Sequence, residues 1–389
     1  MPISAPRHPC LCAALVTALA FGVVGLASDG ATAAVPAVHD AGKSNAAKFA
    51  KGPRANQRER PAQAYGRRED AMRLAAEIAL AHGLDRAWVE SAIADARQLP
   101  EVRRLIMPPP VGTAKNWAAY RDRFVEPKRI AAGVAFWNAH AGWLDAASAR
   151  YGVAPEAIVG IIGVETFYGR MMGSFRVVDA LTTLSLDFPS GRSDRSPYFR
   201  DELAQLLLLA KREAIAPNAL MGSFAGAIGL GQFMPSSINR LAVDFDGDGH
   251  IDMLGNDAKG PADVIGSIAR YLADSGWQPG LATHYAVEPP APGSDGLATL
   301  LAPDILPTFS PPQFVEQGAS LDAAGLRHPG LLALVTLENG GAAPSYAAAT
   351  ANFYAVTRYN RSSYYAMAVI ALGEAVAVQR AAMAASSPP

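Results

Sequence analysis

The chain has 389 residues, 34 of them basic and 35 acidic, for a net charge of −1, and half are apolar. A sizeable core can therefore be built, and at ~150 residues per domain the length suggests two or three units. The even charge balance excludes a strongly basic nucleic-acid binder or a protein held by charge on an anionic surface.

Residues 1–33 have the layout of an export signal. Arg7 and His8 form a short basic start, Leu11 to Ala27 is an uncharged apolar run, and Ala31-Thr32-Ala33 is an A-x-A cleavage pattern. Such a run is at the short limit for a membrane span. The two cysteines, Cys10 and Cys12, lie inside this segment, so the mature protein is expected to lack disulfides. A lipoprotein signal would place its cysteine after the apolar run. The expectation is thus a periplasmic protein with a cleaved signal, not a lipoprotein. Residues 34–64 carry Lys43, Lys48, Lys51, Arg54, Arg58 and Arg60 among Ala, Pro, Gly and Gln, which reads as a disordered linker.

Helical periodicity follows. Apolar residues recur at Met72, Ala76 and Ala79, and again at Trp88, Ala92 and Ala96. Prolines break the chain between Met107 and Val111. A long helical stretch runs from Pro127 through Phe136, Trp137 and Trp143 to Leu144. Strand signals come late: Leu331–Leu337 and Phe353–Thr357 read as strands, with turn residues at Asn339-Gly340-Gly341 between them. Pro289–Pro292 and Pro303–Pro312 read as connections, and Val369–Ala382 as a helix. The fold class expected is mainly α (α+β): a helical domain over 65–284, a small mixed subdomain with short strands over 285–365, and a C-terminal helix and tail over 366–389.

Three segments carry chemistry. In Ile158–Arg170, IVGIIGVETFYGR, Glu165 ends an apolar helical run. An apolar wall disfavours the charged carboxyl, and a carboxyl kept neutral near pH 7 can protonate the leaving oxygen of a glycosidic bond. In Ser223–Ser236, SFAGAIGLGQFMPS, three glycines allow close backbone approach to a bulky ligand. Gln232 supplies an amide suited to sugar hydroxyl or acetamido groups. In Asp244–Asp252, DFDGDGHID, Asp244, Asp246 and Asp248 hold positions 1, 3 and 5 of an EF-hand-like loop. Gly249 stands at position 6 and the His250 carbonyl at position 7. That pattern points to structural Ca²⁺ or another hard cation. Position 12 is Gly255 instead of Glu, so a later acid must close the site: Asp263 first, with Asp252 and Asp257 as alternatives.

Together with TRYNRSSYYAMAV, these segments resemble the lytic murein transglycosylase B family, within the lysozyme-like transglycosylases, over roughly Arg67 to Arg380. The resemblance implies a lysozyme-like catalytic domain. It also implies Glu165 as catalytic acid and base, with Ser223 and Gln232 binding sugar around the reacting ring. Tyr120, Tyr198, Tyr271, Tyr359, Asn360 and Tyr365 would line the glycan groove, and Arg195 would touch substrate. No catalytic cofactor is implied. The expected partners are peptidoglycan glycan strands, with other cell-wall enzymes as further candidates, no nucleic acid, and a monomeric state.

Most glycosidases need two carboxylates. Asp179 and Asp187, the next acids after Glu165 in the chain, read as helix entry and packing. One acid suffices if the C6 hydroxyl of N-acetylmuramic acid is the nucleophile, which yields a 1,6-anhydro end. A lysozyme-type hydrolase and a non-catalytic peptidoglycan-binding module are the competing readings.

Overall fold

A computed structural model describes residues 63–108, 115–256 and 259–386. The export signal, nearly all of the linker, and Asp257 lie outside them.

The described residues form a mainly helical protein with three small sheets. In chain order the helices are α1 (Glu69–His82), α2 (Arg86–Asp95), α3 (Pro100–Leu105), α4 (Trp117–Arg121), α5 (Pro127–Ala139), α6 (Ala141–Tyr151), α7 (Pro155–Thr166), α8 (Val177–Leu186), α9 (Ser196–Arg212), α10 (Pro235–Leu241), α11 (Ala262–Asp274), α12 (Asp295–Leu301), α13 (Pro311–Glu316), α14 (Ala323–Leu326), α15 (Ala351–Tyr359) and α16 (Ser363–Ser386). The strands are β1 (Phe175–Arg176), β2 (Met221–Gly222), β3 (His284–Tyr285), β4 (Val287–Glu288), β5 (Ser320–Leu321), β6 (Ala333–Asn339) and β7 (Ala342–Ala349).

The centre of the molecule is α7 against α16. Every α7 residue from Ala157 to Thr166 is buried, so this helix is apolar all round. It meets α16 backbone to backbone. A Cβ on Gly160 would run into the Val369 carbonyl, and one on Gly373 into the Glu156 carbonyl. Only glycine permits that approach. The C-terminal helix, expected from Val369, thus starts at Ser363 and belongs to the main core.

Sheet β3-β7-β6 is antiparallel and divides two cores. Ala333, Val335 and Leu337 face the main core, whereas Leu332 and Leu334 join Leu300, Phe314 and Leu321 in a smaller one. This is the two-residue alternation of a strand buried on both faces.

Two expectations need correction. Phe353–Thr357 is not a strand but part of α15. The Thr350 hydroxyl caps that helix by accepting the Asn352 N–H at 3.1 Å, and Phe353, Ala355 and Val356 are buried in the main core. Burial on a helical face outweighs the β propensity of Phe and Val. The single helix expected from Pro127 to Leu144 is two, because His140 leaves helical geometry at ψ 23°.

Candidate active site

Glu165 is the penultimate residue of α7 and is 5% exposed. Beyond it the chain reverses sharply. Phe167 and Tyr168 both adopt left-handed φ, 51° and 56°, and Gly169 follows at 87°. Two consecutive bulky residues there are costly and persist only when their surroundings over-determine them. Those surroundings are visible. The Thr166 hydroxyl donates to the Leu230 carbonyl at 2.9 Å and accepts the Gly169 N–H at 3.2 Å. Buried Arg129 of α5 donates to the Gly163 carbonyl at 2.6 Å and lies over the Phe167 ring at 4.4 Å. Thr166 and Arg129 were not singled out from sequence; the Glu-Thr pairing of the motif was the available signal for the first.

Burial raises the Glu165 carboxyl to about 7, and a hydrogen bond from the Tyr365 hydroxyl to Oε1, 2.6 Å long, partly opposes that rise. Tyr365 is therefore in direct contact with the acid. Its ring lies parallel to that of Tyr359, 6.5 Å away. Tyr359 donates to the Gly231 carbonyl, and Tyr271 packs on it at 4.9 Å while donating to the Arg358 carbonyl at 2.6 Å. Phe233 meets both rings edge-on. The glycine-rich segment, α15, α11 and the start of α16 so converge on Glu165. Tyr120 is pushed up by burial and then by the charge of Glu165, which puts it within electrostatic reach of the acid.

Gln232 has a left-handed φ of 50°, and its amide nitrogen donates to the Gly229 carbonyl at 2.9 Å and the Met172 carbonyl at 3.2 Å. Ser223 braces the stem of the same loop by accepting the Ala227 N–H at 3.0 Å. Asn360 is 6% exposed, and its Oδ1 is buried without a hydrogen-bond partner.

Arg195 and Tyr198 sit at the start of α9, the guanidinium 4.9 Å from the ring centroid. Tyr198 is pushed up by burial and by Glu202, a buried acid that was not anticipated. Glu202 also accepts the Ser236 N–H at 2.9 Å and the Ser236 hydroxyl at 2.6 Å, which fixes the start of α10 just beyond Gln232.

The next two acids after Glu165 in sequence are engaged elsewhere. Asp187 takes both oxygens to Arg68, at 2.7 and 2.8 Å, and accepts the Tyr65 hydroxyl. Asp179 accepts the Arg97 N–H at 3.1 Å.

The acidic loop is brought together in part. Asp244, Asp246 and Asp263 each offer a carboxylate oxygen, all within 4.8 Å of one another. Asp263, in the first turn of α11 and 2% exposed, accepts the Phe245 and Asp252 N–H groups at 2.7 and 2.8 Å, and burial pushes it up. Asp246 Oδ2 is buried with no hydrogen-bond partner. Three clustered carboxylates repel, and an all-oxygen set with an unsatisfied buried oxygen fits a hard cation. Asp248 is not in the cluster; its Oδ1 accepts the His250 N–H at 2.9 Å. The His250 imidazole lies 3.7 Å from Glu213, while the atom expected at position 7 is the His250 carbonyl.

Residues 67–374 match the family described as "Transglycosylase SLT domain". The membrane-bound lytic murein transglycosylase B of Escherichia coli (strain K12) is 41% identical over 308 residues, covering 77% of this chain and 80% of its own. The Escherichia coli lytic transglycosylase Slt35, solved in complex with calcium, is 39% identical at a TM-score of 0.71, over 82% of this chain and 95% of that one. SltB3 of Pseudomonas aeruginosa, solved in complex with NAG-NAM-pentapeptide, is 30% identical at a TM-score of 0.66, over 81% and 80% of the two chains.

Proposed function

The chain belongs to the SLT-domain family and is a lytic transglycosylase of peptidoglycan with a lysozyme-like fold, and from that premise we propose that Glu165 alone serves as acid and then base, leaving 1,6-anhydro-N-acetylmuramic acid ends. The observation that carries this reading is a buried carboxyl raised to about 7 whose hydrogen-bond partner is a tyrosine, while Asp179 and Asp187 are bound elsewhere. A group poised there is protonated often enough to donate and basic enough to accept.

In the first step Glu165 gives its proton to the oxygen bridging N-acetylmuramic acid and N-acetylglucosamine, and the bond from that oxygen to the anomeric carbon breaks. The acetamido oxygen of the muramic residue eases the positive charge that develops. Glu165 is now a carboxylate in an apolar setting, held by the Tyr365 hydroxyl. It then removes the proton from the muramic C6 hydroxyl as O6 bonds to the anomeric carbon. The enzyme returns to its starting state and no water is consumed. A tethered hydroxyl can have an effective molarity far above that of water, on the order of 10⁵ M or more. Ser223, Gln232, Tyr120, Tyr198, Tyr271, Tyr359, Asn360 and Arg195 hold the glycan.

Asp244, Asp246 and Asp263 would hold the Ca²⁺, with the Asp248 and His250 positions completing the loop. Its charge would offset theirs and tie residues 244–252 to α11. The chain works on murein in the periplasm or at a membrane facing it, exported by residues 1–33. The test is digestion of purified murein, with mass spectrometry for 1,6-anhydromuropeptides beside a reducing-sugar assay. Anhydro ends without matching reducing ends are expected. A stoichiometric rise in reducing ends would establish a lysozyme-type hydrolase instead.

A further inference from the structure

The Arg129 guanidinium holds the chain on both sides of Glu165. Two residues before the acid, the Gly163 carbonyl accepts its Nη1–H at 2.6 Å and the Phe167 N–H at 3.1 Å. Two residues after the acid, the Phe167 ring lies under the guanidinium, 4.4 Å from its carbon to the centroid. The Phe124 ring, at 5.3 Å, is a second aromatic contact. The arginine is 7% exposed, and its Nε is buried without a hydrogen-bond partner. Glu126, the cap of α5, spends both oxygens on the backbone N–H groups of Lys128 and Arg129. The guanidinium thus meets a carbonyl and ring faces, not a carboxylate.

That arrangement is unfavourable on two counts. A buried cation without a carboxylate is costly. So is Phe167 at φ 51°, a conformation in which helices commonly end on glycine. A glycine at 167 would relieve the backbone, yet it would give the guanidinium no ring to lie on. The reversal is also wedged in place. A Cβ on Gly133 of α5 or on Gly163 of α7 would meet the Tyr168 hydroxyl, so closely does that side chain enter between the two helices. These costs fall at the one point where a carboxyl must keep its place through two proton transfers. We propose that Arg129 is a positioning residue for Glu165: by gripping Gly163 and Phe167 together it fixes the end of α7 and keeps the carboxyl on the Tyr365 hydroxyl. This rests on the reading of Glu165 as acid and base and adds the group that holds it.

The test measures kcat and KM for muropeptide release from purified murein by wild type, R129M, R129A, F167L and R129M/F167L, with E165Q as control. Displacing a reacting group by about 1 Å can cost ~10²-fold. R129M should lose about that much in kcat with KM unchanged. F167L removes the other half of the grip and should lower kcat likewise. The double variant should lose little more than the worse single, because each change undoes the same grip. Guanidinium chloride, at a concentration that leaves wild type unaffected, should restore part of the R129A rate by refilling the vacated space. Methylammonium, a point charge without a flat face, should not. Wild-type kcat in R129M, a loss in KM instead, losses that multiply in the double variant, or an R129A rate indifferent to guanidinium would each overturn the assignment. If the arginine variants fail to fold, F167L decides: a fall in kcat alone upholds the grip, and wild-type kcat overturns it. Failure of the acid–base reading is seen separately, as murein lysis retained by E165Q.

Discussion

Replacing Glu165 by Gln should make the protein more stable above pH 7 and leave it unchanged near pH 4. The wild-type carboxyl titrates at about 7 when folded, against an ordinary 4.5. Below pH 4.5 both the folded and unfolded chains hold the proton, and ionisation costs nothing. Between 4.5 and 7 the unfolded chain releases it while the folded one does not, so stability drains away at ~1.4 kcal/mol per pH unit. The total above pH 7 is about 3 kcal/mol. Gln has no proton to lose, is close in shape, and still offers its carbonyl to the Tyr365 hydroxyl. With an unfolding entropy on the order of 0.7 kcal/mol/K for a chain of this size, the variant should melt about 4 °C higher at pH 8. Differential scanning calorimetry of both proteins from pH 4 to pH 8 measures this directly. A difference that does not grow with pH would show that Glu165 is not held neutral by burial, and the acid–base argument would fall with it. The same variant should lose at least ~10²-fold in murein lysis.

Tyr365→Phe removes a donor to the carboxylate worth about 1.5–3 kcal/mol, so the alkaline limb of the kcat/KM profile should move up by ~1–2 pH units; a limb that stays or moves down rules out this role. Chelation should lower the melting temperature and added Ca²⁺ restore it, and Asp246→Asn should abolish that response, because the loop cation stabilises only the folded state. Asp248→Ala should keep most of it, since its carboxylate stands outside the cluster; the opposite ranking in a thermal-shift titration would misassign the site. Gly160→Ala should cost more than 1 kcal/mol in a urea melt, since the added methyl must push α16 off α7, and a neutral effect would show that this contact yields easily.

Much of the site is legible in sequence because its chemistry is local. An acid at the end of an unbroken apolar run is unusual, and alternating Asp and Gly announce an oxygen-rich loop. The proposed closing ligand is less local. Asp263 lies beyond an atypical loop, yet it is a buried acid in the first turn of an amphipathic helix, and that helix aims it back at Asp246. The supporting shell is illegible for a general reason. Arg129 is one arginine among many until α5 packs on α7, and Glu202 reads as a surface residue of α9 until Ser236 and Tyr198 close over it. β7 escaped notice because its buried residues are alanines, which carry no strand signal, whereas the neighbouring Phe-Tyr-Ala-Val-Thr carries one and is helical.

The Tyr365–Glu165 hydrogen bond spans 200 residues of sequence. An enzyme that cuts the wall of its own cell is dangerous while it is being made, and this contact acts in time as well as in space. A chain made from its N-terminus presents α7 long before α16. Until the later helix docks, Glu165 lies in water as an ordinary surface acid, and Tyr359 and Asn360 are elsewhere. The contact cannot form before α16 has been made. With Glu165 as the proposed acid, lytic power arrives only with completion of the fold, and a fragment ending before Ser363 should be inert even if its remaining helices assemble.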